Sequence, residues 1–123
     1  MKLHTSNTDG LNLFSAYGDD FVTVNQDKYF ENLILLPDAV IPAWTSATVA
    51  TLTEADMEKL LALQTEIILL GTGSRLRFPA GALLRAFAPA GIGLDVMDLK
   101  AACRTYNILA AEGRKVAAAL LFD

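Results

Sequence analysis

Histidine and cysteine are almost missing from this sequence, with His4 and Cys103 the only one of each. That scarcity removes most site chemistry at once. A histidine with no Cys or His at ligand spacing gives no sign of a metal site, and a chain with one histidine nearly lacks the commonest general base. A single cysteine admits no intramolecular disulfide and is compatible with a reducing compartment. Positive charge is short as well: ten Lys and Arg stand against fourteen Asp and Glu, a formal charge of −4. Proteins that hold a polyanion carry the opposite excess, so nucleic acid is not an expected partner. Long apolar runs are also absent. Leu33 to Leu36, Ile67 to Leu70 and Val116 to Phe122 fall well below the roughly 18 residues that cross a bilayer, which argues against an integral membrane protein. The stretch from Met1 to Gly10 has no apolar core of a signal peptide and no Arg-rich amphipathic pattern, so the expected location is cytoplasmic.

What is present is hydrophobicity at the level of a folded domain. With 53% hydrophobic residues over 123 positions, residues 1–123 are read as a single domain able to bury a core without disulfides or metal. The first half reads as short strands cut by turn residues: Leu11 to Ala16, Phe21 to Val24, Lys28 to Glu31, Leu33 to Leu36 and Val40 to Ala43, with Gly18-Asp19-Asp20, Asn25-Gln26-Asp27 and Pro37-Asp38 between them. An antiparallel meander is expected there. Thr53 then caps a helix with Glu54 and Asp56 in its first turn, although Asp56 stands where a capping box prefers Glu or Gln.

From Ile67 onward the pattern changes to strand, helix, strand, helix, strand. Ile67 to Leu70 and Val116 to Phe122 are continuous apolar runs, as strands covered on both faces require, whereas Ile92, Leu94 and Val96 alternate with Gly93, Asp95 and Met97. Pro79 suits the first position of the intervening helix, and Asp98 the N-cap of a helix from Leu99 to Glu112. That last helix sets Leu99, Ala102, Cys103, Tyr106, Leu109 and Ala110 on an inward side, and Lys100, Arg104 and Asn107, then Arg114 beyond it, on an outward one. The order argues an α/β fold with a parallel or mixed sheet.

The candidate working edge is the turn Gly71-Thr72-Gly73-Ser74-Arg75, which follows a buried strand as anion-cradling loops do. Leu76 fills the place of the third glycine of a dinucleotide fingerprint, and no Gly-Lys-Ser/Thr follows, so nucleotide binding is not expected. Its plain alternative is a turn that needs glycine only for positive φ. Arg75 could grip a carboxylate or phosphate with its planar fork, while Arg77 reads as solvated. The polar stripe with Arg104, Asn107 and Arg114 could meet a partner or simply face water. Asp95 and Asp98 could pair as carboxylates, but capping accounts for Asp98. Cys103 reads as a small buried hydrophobe. Ser74 lacks both the Gly-x-Ser-x-Gly context and a downstream histidine, which leaves no hydrolase triad.

Three segments carry a resemblance: Gly71 to Arg75, Gly91-Ile92-Gly93-Leu94-Asp95-Val96-Met97-Asp98, and above all Ala101 to Arg114 with its Tyr106-Asn107 and Glu112-Gly113-Arg114. They resemble the Mth-type domain-of-unknown-function family, which includes a mitochondrial respiratory complex I assembly factor, an adipogenesis-associated protein and many small bacterial and archaeal proteins. The resemblance implies a three-layer α/β domain, a mixed central sheet flanked by helices and joined by an N-terminal antiparallel β layer. It also implies no established enzymatic activity and no cofactor. Gly71, Thr72, Gly73, Asp98, Arg104, Asn107, Glu112 and Arg114 occupy the family's motif positions. The leading expectation is therefore an accessory protein that works through contact with another protein. Its rivals are a small-anion-binding domain using the Gly71-to-Arg75 turn with Arg104 or Asn107, and an enzyme drawing on Asp95, Asp98 or Glu112.

Overall fold

The structure, a computed structural model, describes residues 10–123; His4 lies outside them. Among the described residues five strands come first: β1 (Phe14–Tyr17), β2 (Val22–Val24), β3 (Asp27–Tyr29), β4 (Leu33–Leu36) and β5 (Ala39–Pro42). After a 3-10 turn at Val49–Thr51 come α1 (Glu54–Leu61), β6 (Ile67–Gly71), α2 (Gly81–Arg85), β7 (Gly93–Met97), α3 (Leu99–Ala111) and β8 (Val116–Leu120). The α/β reading holds, with one difference in the first half. The strands expected to form one meander divide between two sheets. β1, β2 and β3 form a small antiparallel sheet, while β4 and β5 join a five-stranded sheet of order β5-β4-β8-β6-β7. In that sheet β8 lies parallel to β6 and antiparallel to β4, which makes it mixed.

Burial on both faces explains why β8 and β6 read as unbroken apolar runs. Val116, Ala118 and Leu120 face one core, and Ala117 and Ala119 face the other. The first core lies under α3, whose Leu99, Ala102, Cys103, Tyr106 and Ala110 are all buried there, together with Phe14, Val22 and Val24 of the small sheet. The second lies under α1 and gathers Met57, Leu60, Trp44 and Phe87 against Ile34, Ile68 and Leu70. Each fully buried leucine contributes about 2 kcal/mol by removal from water. Small residues set the spacing: a Cβ on Gly71 would meet the Ala102 Cβ at 3.2 Å, so α3 crosses close over the end of β6.

Two local expectations change in detail. The capping box of α1 is complete despite its aspartate: Thr53 N–H donates to Asp56 Oδ2 at 3.0 Å, and Asp56 N–H donates to Thr53 Oγ1 at 3.3 Å. Burial works to raise the Asp56 pKa, but the bonds from Thr53 and Thr45 and the charge of Lys59 outweigh it and hold the carboxyl below its usual range. α2 begins at Gly81 rather than Pro79 and runs only five residues before a 3-10 turn at Ala88–Ala90. Its short length follows from Pro89 and from Gly91, which closes the segment at φ 71°.

Candidate functional site

The Gly71-to-Arg75 turn is built around a buried hydroxyl. Thr72 is 1% exposed; its N–H donates to Met97 O at 2.9 Å and its Oγ1 donates to Arg75 O at 2.6 Å. The same oxygen accepts from Arg77 N–H at 3.1 Å. One threonine thus closes the loop on itself and ties it to the end of β7. Gly73 stands at φ 88°, a conformation that L side chains rarely adopt, and its carbonyl accepts from Leu99 N–H at 2.8 Å. The turn and the start of α3 therefore form one rigid corner.

An acid group already sits on that corner. The carboxylate of Asp123 accepts from Ser74 N–H at 3.3 Å and from the Ser74 hydroxyl, and Arg77 Nη1 lies 3.4 Å from its Oδ1. A Cβ at position 73 would collide with the same carboxylate, so the glycine provides its room as well as the turn's φ. The Ser74 hydroxyl, then the Ser74 N–H and the Arg77 and Arg75 charges, hold the Asp123 carboxyl below its ordinary range. Beside the corner, Gly73, Ser74 and Asp98 line a small recess of 110 Å³ with Gly18, Asp19 and Lys100. Asp98 Oδ1 accepts from Ala101 N–H at 2.9 Å as the N-cap of α3, and Lys100 Nζ pairs with Asp19 at 3.2 Å.

The other candidate residues lie elsewhere. Asn107 is half-buried, and its amide pairs with one backbone residue in both directions: Oδ1 accepts from Phe14 N–H and Nδ2 donates to Phe14 O, each at 2.9 Å. Its neighbour Tyr106 donates to Asn12 O at 2.9 Å and meets the Phe14 ring edge-on at 5.3 Å. The Tyr-Asn pair thereby docks β1 onto α3. Arg104 is exposed on the same helix, and Arg75 is exposed on the turn. Glu112 is the exposed C-cap, and Arg114 pairs with Glu66 at 3.2 Å. A 13-residue helix spans about 20 Å, so Arg114 and the glycine turn lie at opposite ends of α3. Arg114 borders a separate 460 Å³ recess with Leu11, Leu36, Leu63 and Thr65. The structure therefore brings Gly73, Ser74 and Asp98 together and keeps Asn107 and Arg114 apart from them.

Burial pushes the Cys103 thiol up to about 12, against a small opposing effect of Arg104, so it is not a thiolate at neutral pH. Among the described residues no group of three His, Cys, Asp or Glu could hold a metal ion, and no helix is long and apolar enough to cross a membrane.

The model of a protein family of unknown function, DUF498/DUF598, matches residues 14–121. The chain belongs to that family. Among its relatives, bovine NADH dehydrogenase (ubiquinone) 1 alpha subcomplex assembly factor 3 is 33% identical over 108 residues, 86% of this chain and 58% of the bovine protein. The chain thus spans somewhat over half the length of that relative. A crystal structure from Bordetella parapertussis is 36% identical with a TM-score of 0.85, covering 93% of this chain and 98% of that one. A solution structure from Bordetella pertussis, described as a Mth938-like domain, is 32% identical with a TM-score of 0.80 and covers 98% and 92%. The expected family and three-layer architecture are both established by these matches.

Sequence reasoning passes over Asp123 and the outer side of β7, and it reads Arg77 as solvated whereas Arg77 pairs with Asp123 at the corner. For Asp123 no local signal exists, since its partners lie 46 and 49 residues away. For β7 there was one: Gly93 and Asp95 interrupt its apolar residues, and a strand polar on one face is incompletely covered.

Proposed function

We propose that the chain is an accessory protein that holds another protein during assembly of a respiratory or other membrane complex. The observation that carries this reading is the 33% identity, over 86% of the chain, to a protein named as an assembly factor of NADH dehydrogenase. The described chemistry is in keeping with it. Asp98 caps a helix, Asn107 and Tyr106 join two layers, and Cys103 is buried under α3, so these side chains are accounted for by the fold. Phe30, Leu76, Phe78 and Ile108 are large apolar side chains left more than half exposed. The test is deletion of the gene in its host. Native-gel quantification is expected to find less assembled respiratory complex, with subunit transcripts unchanged and the complex restored by a plasmid copy. Normal amounts of every respiratory complex would overturn the reading.

The second reading is a small anion bound at the Gly71-to-Arg75 turn. It is favoured by the carboxylate already seated on Ser74 and Arg77, which marks the corner as acceptable to an acid group. A free anion would have to displace Asp123. Phosphate is then expected to raise the melting temperature of Asp123→Ala more than that of the parent chain. No rise in either protein at high phosphate removes this reading.

A further inference from the structure

The two edges of the five-stranded sheet differ in what they offer a passing strand. On β5, Ala43 N–H donates to Asn32 O at 2.7 Å, which turns the alternate residues Ile41 and Ala39 toward β4 and leaves Val40 and Pro42 facing outward. Pro42 has no N–H to give, and the chain leaves at Ala43 with φ 51°. That edge is guarded by the usual means.

β7 carries no such guard. Gly93 N–H donates to Glu66 O at 3.0 Å and Met97 O accepts from Thr72 N–H at 2.9 Å, so Gly93, Asp95 and Met97 direct their main-chain groups at β6. Leu94 and Val96 therefore point both N–H and C=O outward. Among the described residues no strand pairs with them. Beside this open row lies a 520 Å³ groove lined by Leu94, Asp95 and Val96 with Phe78, Leu84 and Phe87, and Phe78 is 65% exposed. An unpaired main-chain row next to an open groove with apolar side chains in its walls is the arrangement that strand addition uses: hydrogen bonds give affinity and alternate side chains fill pockets.

We infer that β7 accepts an extended segment of a partner protein as a sixth strand, with an apolar–basic–apolar core whose basic residue stands opposite Asp95. The register follows from the strand itself. Residues opposite Leu94 and Val96 lie over the groove and must be apolar, whereas the residue between them shares the other face with the exposed Asp95 carboxylate. Charge also argues against a second copy of this chain. Asp95 is the middle residue of Gly93–Met97, so antiparallel pairing of two full β7 edges would set Asp95 against itself. This inference rests on the reading of the chain as a holder of proteins and names the surface and the kind of segment.

The probe is a capped nine-residue peptide, Thr-Ser-Thr-Val-Lys-Val-Thr-Ser-Thr, titrated into the full chain and followed by amide hydrogen exchange. Saturation is expected to slow exchange at Leu94 and Val96 by about tenfold. Replacing the peptide's lysine with glutamate is expected to weaken binding about fivefold, and Asp95→Lys to reverse that preference. Val96→Pro removes an outward N–H and no bond to β6, and it is expected to abolish binding while the other amides of the sheet keep their protection. Unprotected Leu94 and Val96 at millimolar peptide, or binding indifferent to the charge swap, would overturn the proposal. So would a parent chain that is dimeric in sedimentation and made monomeric by Val96→Pro, since the edge would then belong to a second copy. If the peptide fails while gene deletion still depletes the complex, the edge assignment alone falls; if the peptide binds and deletion has no effect, the assembly role alone falls.

Discussion

The contact between α3 and β1 and the corner around Ser74 are built from the same parts and differ in what surrounds them. Both join segments far apart in the chain through side-chain bonds to backbone groups: Asn107 to Phe14 across 93 residues, and Asp123 to Ser74 across 49. At the first, Tyr106 is fully buried and the amide of Asn107 is half-covered; at the second, both Ser74 and Asp123 are exposed. Water can replace a lost partner at the corner but not under the small sheet. The contribution of a polar contact is set by what its removal leaves unpaired, and the two regions should therefore respond very differently to equivalent cuts.

The deepest cut is Asn107→Ala, which strands both the N–H and the C=O of Phe14. Leaving two partly buried backbone groups without partners costs about 3 kcal/mol. Urea denaturation is expected to register that loss, and hydrogen exchange to locate it in β1 and β2. If the loss instead falls below that of the corner variants, the contrast between the regions fails. Gly73→Ala comes next: it forces a Cβ into a left-handed backbone at a cost of about 1–2 kcal/mol and also evicts the Asp123 carboxylate. Tyr106→Phe keeps the edge-on contact with Phe14 and loses only the bond to Asn12 O, so about 1 kcal/mol is expected. A denaturation midpoint equal to that of the parent would place a water on Asn12 O and make this contact resemble the corner.

These contacts also mark where sequence reading reaches its limit. The strand-helix-strand-helix-strand half was legible because each element declares itself locally: unbroken apolar runs for β6 and β8, an N-cap and an apolar stripe for α3. Helical periodicity places Asn107 with Lys100 and Arg104 on an outward stripe, since it separates apolar from polar residues and nothing more. A polar side chain that pairs with another layer's backbone has the same signature as one that pairs with water. The division of the first five strands was hidden for a related reason. β4 pairs with β5 next door and also with β8, some eighty positions along, and that non-local pairing has no turn to announce it. Burial of Leu33, Ile34 and Leu35 on both faces was its only trace. The glycine turn was located but its occupant was not, because Asp123 is brought to it by the path of β8 rather than by any motif.

The smallest expected effect tests the corner directly through pH. Asp123 has its carboxyl pKa depressed in the folded chain by the Ser74 hydroxyl and N–H and by Arg77, so the folded state favours the ionised form. A depressed folded value gives stability that is fully present above the unfolded aspartate pKa of about 3.9, and that stability is lost as pH falls through the folded value. Its size is limited by exposure: the Asp123 side chain is 42% accessible and Arg77 38%, so solvent screening leaves about 0.5 kcal/mol. Asp123→Asn cannot ionise and should lie below the parent by that margin at neutral pH, with the two curves converging in acid. Added salt should narrow the gap at neutral pH, since exposed pairs are screened, while leaving the loss in Asn107→Ala unchanged. A gap that persists at low pH would mean that Asp123 acts through neutral hydrogen bonds alone, and one that resists salt would place the corner with the buried contact rather than against it.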